Sequence, residues 1–324
     1  MSGPVVVAVP TFRRVGWAGE LLSALVEQAE RRPPCRVVVL DNDPDASAAV
    51  LADHPAVRSG GAQLHHVGLG DVVSVRNAAL ELALEQDARF LVLVDDDELP
   101  SAGWLDALMD AQVRWQAQVV AGPVRQEVPV RQRPHVRALL VREGRDAGPF
   151  DGDVGAGNVL LDLDLVRRTG VRFDPRLGHG GGEDTLFFRQ LARAGARFAW
   201  APDAVVVERA VPARLTAPVL LRRSYRNGRS SLLVDQVLGS PPGLPRRAGA
   251  LLGAGAAYLP AAVLAAARGD REHAWRRLYQ VARHAGRLRG GAGPGGYGGP
   301  ARPSAPGGLG SARPDRGHGA GEVG

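Results

Sequence analysis

Phe90-Leu91-Val92-Leu93-Val94-Asp95-Asp96-Asp97-Glu98-Leu99-Pro100 is an apolar run that releases four acidic side chains and then meets a proline. A short stretch of Phe, Val and Leu bounded by a turn signal reads as a fully buried strand. The carboxylates then sit at its carboxyl end, where open α/β sheets bind ligands. Adjacent carboxylates repel one another. A hard divalent cation relieves that repulsion, because Mg2+ or Mn2+ prefers oxygen and takes one or two carboxylates together with substrate phosphates. The stretch points to a site for a metal and a diphosphate, the alternative being a solvated acidic loop after an edge strand.

Outward from this strand, the first half of the chain alternates strand and helix signals. Val5 to Val9 reads as a strand, Trp17 to Glu30 as a helix stopped by Pro33 and Pro34, and Val37 to Leu40 as a second strand. A polar turn, Asp41-Asn42-Asp43-Pro44, leads into a short helix to about Asp53, and a third strand lies near Gln63 to Val67. Asp71 is placed to cap a helix in which Val75, Ala78, Ala79, Leu82 and Ala83 recur at helical spacing. Such alternation predicts right-handed βαβ crossovers and a mainly parallel sheet flanked by helices. Its ligand edge is then built from Pro10-Thr11-Phe12-Arg13-Arg14, from Asp41-Asn42 and from the acidic cluster.

Composition sets the outer limits. The chain has 324 residues, 45% of them hydrophobic, enough for one large domain or one plus a small extension. Its net charge of +6 favours polyanionic partners without choosing among nucleotides, nucleic acid and an anionic membrane. All forty basic residues are arginine, a bias that lowers the weight of any single one. One cysteine, Cys35, excludes an intramolecular disulfide and fits a reducing compartment. Met-Ser-Gly-Pro runs straight into the first strand without a secretory pattern, so a cytoplasmic location is expected.

Val9-Pro10-Thr11-Phe12-Arg13-Arg14, Asp41-Asn42, Ser74-Val75-Arg76-Asn77, Asp95-Asp96-Asp97 and Gly180-Gly181-Gly182-Glu183-Asp184 follow one another over residues 4 to 230. In this order they resemble the family 2 glycosyltransferases. The resemblance implies a GT-A fold, a Rossmann-like α/β sheet, and a nucleotide-diphosphate sugar as donor. It makes Pro10, Thr11, Arg13, Asp41, Arg76, Asp95 and Asp96 candidates for donor binding, with Thr11 and Arg13 lining the nucleotide pocket and Asp41 accepting from the base. Asp97 is the implied direct metal ligand. Asp95 and Asp96 would reach the ribose, or the metal through water, and Asp95 is retained as a second candidate ligand. The cofactor expected is Mg2+ or Mn2+, which bridges the two phosphates and neutralises the leaving nucleoside diphosphate. Glu98 carries no assigned role.

Several of these residues have plain structural readings as well. Asp41 could cap a helix. Arg76 lies near a helix start, where amides and the dipole favour phosphate, but it could be a surface arginine. Asn77 could orient the acidic loop or satisfy a turn. In the family the second acid of the Glu-Asp pair usually serves as general base, which nominates Asp184, with Glu183 in reserve; both also suit the first turn of a helix read from Asp184 through Leu191. His179 is a further candidate base or metal ligand, or simply a loop residue. Phe150 to Leu161 resembles the acceptor-side segment, a glycine-rich turn and a strand, with Gly157 and Asn158 close to the transferred sugar. Residues 125–148 read as a long loop or lid. Inversion is the stereochemistry the resemblance implies.

The expected organisation is a catalytic domain over residues 1–210, a helical extension over 211–289 and a disordered tail over 290–324 rich in Gly, Pro and Arg. Within the extension, Arg222, Arg223, Arg226 and Arg229 could meet a diphosphate or an anionic surface, or lie on a solvated face. Residues 248–267 carry no charge and are flanked by Arg246, Arg247, Arg268 and Arg271. Alanine, glycine and Pro260 weaken them as a span, so a hairpin or helix lying on the inner membrane face is expected. The acceptor implied is a glycan or a lipid-linked one, in exopolysaccharide biosynthesis. Two rivals fare worse. A nucleotidyltransferase on a related fold needs a glycine-rich phosphate loop after the first strand, and Pro10 to Arg14 has neither its glycines nor its lysine. A non-catalytic nucleic-acid-binding protein leaves the acids unexplained, because phosphate-facing surfaces should be basic. No specific nucleic acid is therefore expected as a partner.

Overall fold

The structure, a computed structural model, describes residues 3–32, 34–127, 133–140, 144–178 and 181–289. Its first half runs β1 (Val5–Thr11), α1 (Val15–Glu30), β2 (Cys35–Asp41), α2 (Pro55–Arg58), β3 (Ala62–His66), α3 (Val72–Glu85) and β4 (Phe90–Val94). The elements read from hydrophobic pattern are all present, the short helix to Asp53 as a 3-10 helix over Ser47–Asp53, and Asp71 caps α3 by accepting the Ser74 amide. The four strands pair in parallel in the order β3-β2-β1-β4. Their near-continuous apolar sequence follows from burial on both faces. Val7, Val9, Val39, Val92 and Val94 point to the layer that holds Leu21, Leu22 and Leu25 of α1, whereas Val6, Ala8, Val38, Leu91 and Leu93 point to the layer that holds Ala79, Leu80 and Ala83 of α3. Each fully buried leucine is worth about 1.5–3 kcal/mol over an exposed one. The strand order reverses between β1 and β4, the kind of switch point at which open sheets form a ligand crevice.

The chain continues through β5 (Glu98–Pro100), α4 (Trp104–Trp115), β6 (Val119–Ala121), β7 (Val124–Gln126), α5 (Pro134–Leu140), β8 (Gly148–Pro149), β9 (Asn158–Asp162), α6 (Leu163–Thr169), α7 (Glu183–Arg193), β10 (Phe198–Trp200) and β11 (Val206–Glu208). The large sheet extends as β4-β9-β6-β10-β8, and β9 runs antiparallel to both β4 and β6. That reversal matters for the site. An antiparallel neighbour brings its beginning to the carboxyl end of β4, so the glycine turn before Asn158 lies beside the acids. A smaller sheet, β5-β11-β7, sets Glu98 opposite Glu208.

Residues 125–148 are not one long structureless loop. Val124–Gln126 is strand β7 and Pro134–Leu140 is helix α5. The Tyr279 hydroxyl donates to the carbonyl of His135 at 2.8 Å, and a His135 ring nitrogen lies 3.0 Å from the carbonyl of Leu215. The partners that hold the helix stand far away in sequence, and seven residues, about two turns, are too few to show a helical period.

After β11 come α8 (Ala217–Val237), α9 (Leu244–Ala267) and α10 (Arg271–Arg289). The charge-free stretch is a single helix with Pro260 inside it, so of the two forms expected the hairpin is excluded. Crossing of α8 and α10 depends on two glycines. A Cβ at Gly228 would stand 2.0 Å from the Arg283 carbonyl oxygen, and one at Gly286 would stand 2.0 Å from that of Tyr225. Neither backbone can yield alone. Gly228→Ala is expected to destabilise the protein by about 1–3 kcal/mol despite its better helix propensity, and a guanidinium melt followed by circular dichroism should show it. An unchanged midpoint would mean that the helices part freely. The expected disordered tail, 290–324, lies outside the described residues.

Candidate active site

The acidic side chains leave β4 in a turn whose backbone is fixed on several sides. The Asp95 amide donates to the Gly157 carbonyl at 3.3 Å and to Glu98 Oε2 at 3.2 Å, and the Arg209 amide donates to the Asp97 carbonyl at 2.8 Å. Thr11 Oγ1, at the end of β1, donates to Asp96 at 2.8 Å. Arg14 Nη1 bridges Asp96 at 2.8 Å and Asp97 at 2.6 Å. Asp96, Asp97 and Glu98 are all buried. The cluster is therefore not a solvated acidic loop.

Burial at such density pushes carboxyls upward. Glu98 is raised well above the ordinary glutamate range, by desolvation first and then by the Asp95 charge. Asp96 is raised by desolvation, which Arg14 and the Thr11 hydrogen bond partly offset. Asp95 also rises, by desolvation against the pull of Arg76, with Asp97 and Asp184 adding to it, although its side chain keeps 41% exposure at the mouth. Glu208, across from Glu98, is raised by desolvation and by Asp97.

A carboxyl whose folded pKa lies above its unfolded value binds its proton more tightly when folded, so stability falls as pH rises from the unfolded value, about 4.3 for Glu, through the raised folded one. Carboxyls held low by exposed arginines, such as Asp174 beside Arg176, act in the opposite sense at lower pH. In chelator, the unfolding midpoint is expected to rise as pH drops from neutral toward that lower bound, and Glu98→Gln to flatten the rise. Equal slopes in the two proteins would show that Glu98 is not the source.

Two further elements close on the acids. A Cβ at Gly157 would lie 2.6 Å from Glu98 Oε1 and 2.9 Å from Asp95 Oδ2, so any side chain there would displace both carboxylates. A Cβ at Gly155 would lie 3.6 Å from Asp184 Oδ2. The same turn thus borders Asp95 on one side and Asp184 on the other. Asp184 and Glu183 open α7 behind Gly182, whose φ of 95° suits glycine. Asp184 is half-buried, with Oδ1 accepting the Thr185 amide at 2.7 Å. Glu183 is buried; Oε1 accepts from Arg76 Nη1 at 2.7 Å, while Oε2 has no hydrogen-bond partner. Its pKa is raised by desolvation, which Arg76 partly offsets. Arg76 Nη2 also lies 3.8 Å from Asp95, so one buried guanidinium ties the Glu-Asp pair to the acidic turn.

Among the described residues no three His, Cys, Asp or Glu side chains converge as a group able to hold a metal ion by themselves. The donor chemistry nonetheless fits a hard cation that receives one or two carboxylates from the protein and the rest from phosphates and water. Asp97 and Asp95 supply such oxygens, at a turn that Gly157 keeps free of a side chain.

The other expected residues divide clearly. Thr11 and Asp41 are register partners at the ends of β1 and β2, and Pro10 precedes them. Asp41 is buried, with its two oxygens accepting the amides of Asp43 and Ala48, so it shapes the turn into the next helix. Arg13 pairs with Asp43 and Asp45, away from the acids. Asn158 donates to the carbonyls of Pro123 and Ala204 and accepts from Trp104 Nε1, bonds that hold the sheet together. Asn77 exchanges two hydrogen bonds with the backbone of Phe173, which satisfies a turn rather than the acidic loop. Arg222, Arg223 and Arg226 are exposed along α8. His179 lies outside the described residues.

The sequence places Arg14 on the ligand edge without a role and gives no sign of Glu208 at the site. Arg13 has a φ of 57°, a left-handed kink that sends the two adjacent arginines to different acids, and no pattern marks which takes which. Glu208 ends a three-residue strand too short to carry a signal.

The sequence profile described as Glycosyl transferase family 2 matches residues 6–155. The succinoglycan biosynthesis protein ExoM of Rhizobium meliloti (strain 1021) is 31% identical over 247 residues, which are 72% of this chain and 76% of that protein. Among solved structures, the mannosyltransferase PcManGT from Pyrobaculum calidifontis, in complex with GDP-Man and Mn2+, superposes with a TM-score of 0.61 at 19% identity, over 89% of this chain and 88% of that one. S. aureus TarS 1-349 in complex with UDP-GlcNAc gives 0.50 at 17% identity, over 70% and 66%. These likenesses show a shared GT-A fold.

Proposed function

Given that the chain belongs to the family 2 glycosyltransferases, and is therefore a glycosyltransferase, we propose that it moves a sugar from a nucleoside-diphosphate donor to an acceptor hydroxyl with inversion. One observation carries the reading: Asp95, just after β4, and Asp184, at the start of α7, border the same glycine turn, so the acidic turn that also holds Asp97 and a candidate base face one reaction space. PcManGT and TarS, bound to GDP-Man and UDP-GlcNAc, support a nucleotide sugar as donor.

In this reading the nucleoside lies over Pro10, Thr11, Arg13 and Asp41, and the diphosphate lies against the acidic turn. A divalent cation, Mg2+ or Mn2+, held by Asp97 and Asp95, would neutralise the charge that develops on the departing diphosphate. Asp184 takes the acceptor proton as the acceptor oxygen bonds to the anomeric carbon, and the bond from that carbon to the phosphate oxygen breaks with its electron pair leaving on the nucleoside diphosphate. Glu183 and Arg76 hold Asp184 in place. Gly157 leaves room for the transferred sugar, and Asn158 fixes the strand that carries that glycine. The name of ExoM supports polysaccharide synthesis, so the acceptor is a growing glycan, free or lipid-linked. Residues 1–210 carry the transfer chemistry, and 211–289 place the enzyme peripherally on the cytoplasmic membrane face.

The experiment is calorimetric titration with UDP, GDP, dTDP and CDP, each with and without Mn2+, on the wild type and Asp97→Ala. Tight binding of one nucleotide, lost by tenfold or more on removal of either the metal or Asp97, is the expected result. Binding that ignores both would sink the assignment of Asp97.

A further inference from the structure

A cleft of about 470 Å3 lies where the connection from α8 enters α9 and α10 passes alongside. Asp235, Ser240, Arg246, Arg247, His284 and Arg287 line it. Its single acid is already matched, since Asp235 lies 2.6 Å from Arg287 and 3.2 Å from Arg189. Two arginines are left over. Arg246 forms no ion pair among the described residues. Arg247 makes one long hydrogen bond, 3.4 Å from Nη1 to the Arg287 carbonyl, and its Nε is buried with no partner. Leaving a guanidinium N–H buried and unpaired is unfavourable unless an acceptor arrives. The first turn of the 24-residue α9, with no side-chain cap, adds free amides at the same place. His284 is held below its usual range by burial and by Arg287 and Arg283, as expected in a cationic cleft.

The helix that starts at this cleft is unusual on its outer side. The row continuing from Arg246 through Gly253, Ala257 and Leu264 is exposed and apolar, and beside it Leu252 and Val263 are 74% and 70% exposed. Only 11% of its most apolar window is buried. Arg246 stands at one end of this face and Arg268, the C-cap of α9, at the other, a charge pattern complementary to anionic headgroups above hydrocarbon.

We propose that the cleft binds the phosphate of an anionic lipid headgroup, with the apolar outer face of α9 resting in the same bilayer. Arg246 and Arg247 grip the phosphate oxygens, and Leu252, Leu259 and Val263 enter the acyl boundary. The inference deepens the membrane placement given above and is independent of the donor site.

The test uses the full chain in chelator, so that the metal-dependent donor site is silent. Sedimentation with phosphatidylcholine vesicles, with and without phosphatidylglycerol, is compared with calorimetric titration of inorganic phosphate. Phosphatidylglycerol should raise vesicle binding at least tenfold, and Arg246→Gln, a substitution at an exposed position, should abolish most of that gain, as should the double change with Arg247→Gln. Leu252→Ser with Val263→Ser should weaken binding to both vesicles. Undiminished preference for phosphatidylglycerol in both arginine variants overturns the cleft while leaving membrane placement intact. Phosphate binding without vesicle binding assigns the cleft to a free anion and overturns the lipid. Nucleotide titration with Mn2+ on the same variants should match the wild type, which separates this failure from failure of the donor site.

Discussion

Asp184→Asn is expected to leave nucleotide binding within about twofold of the wild type and to lower the rate of sugar transfer by about 10^2–10^4-fold, the range for removal of a general base. The substitution keeps the size of the side chain and an oxygen able to accept the Thr185 amide, so the start of α7 should stand unchanged. What disappears is the capacity to take a proton. Glu183 cannot easily replace it, because Oε1 is engaged by Arg76 and the side chain is buried, whereas Asp184 is half-buried beside the glycine turn. The discriminating measurement is single-turnover transfer at saturating donor, alongside nucleotide titration on the same preparation. Normal transfer by Asp184→Asn would move the base elsewhere, with the unpartnered Oε2 of Glu183 the first place to look. A parallel loss of binding and transfer would instead mean that Asp184 supports the site's structure.

Much of the architecture was legible because the chain repeats one physical pattern. Buried strands such as Phe90–Val94 need apolar residues on both faces, and each ends in a turn whose polar residues cannot hide. That logic alone puts Asp95 to Asp97, Thr11 and Asp41 on one sheet edge. It failed where neighbours in space, rather than in sequence, decide. The antiparallel run of β9 is set by pairing with β4 and β6, and only that pairing explains why Gly157 meets Glu98. The resemblance implies an acceptor-side place for Asn158, and its sequence gives no sign that Trp104, Pro123 and Ala204, all from distant segments, bond its amide. Arg14 lies on the expected ligand edge, but only the left-handed backbone at Arg13 decides that Arg14, and not Arg13, reaches Asp96 and Asp97. The helix over Pro134–Leu140 hid behind partners on α10.

Arg76→Met should be the most damaging single change to stability among the site residues. The methionine keeps much of the stem that packs near Phe173, whose ring centre lies 5.7 Å from the guanidinium carbon, so the loss is chiefly of charge. Glu183 would then be buried without its counter-ion, and breaking a buried pair from one side costs about 3–5 kcal/mol. Asp95 loses its nearest cation as well. If that account is right, the deficit belongs to the orphaned carboxylate and not to the missing arginine. Neutralising the carboxylate should therefore recover much of it, so Arg76→Met with Glu183→Gln is expected to unfold at a higher denaturant concentration than Arg76→Met alone. Acid should act in the same direction. Glu183 already has a raised pKa, which loss of Arg76 lifts further, so the single variant should regain stability as pH falls through that value and protonation removes the buried charge. A double variant no more stable than Arg76→Met, at neutral and at lower pH alike, would show that the guanidinium acts through packing. The tie it makes between the acidic turn and the start of α7 would then have no electrostatic basis.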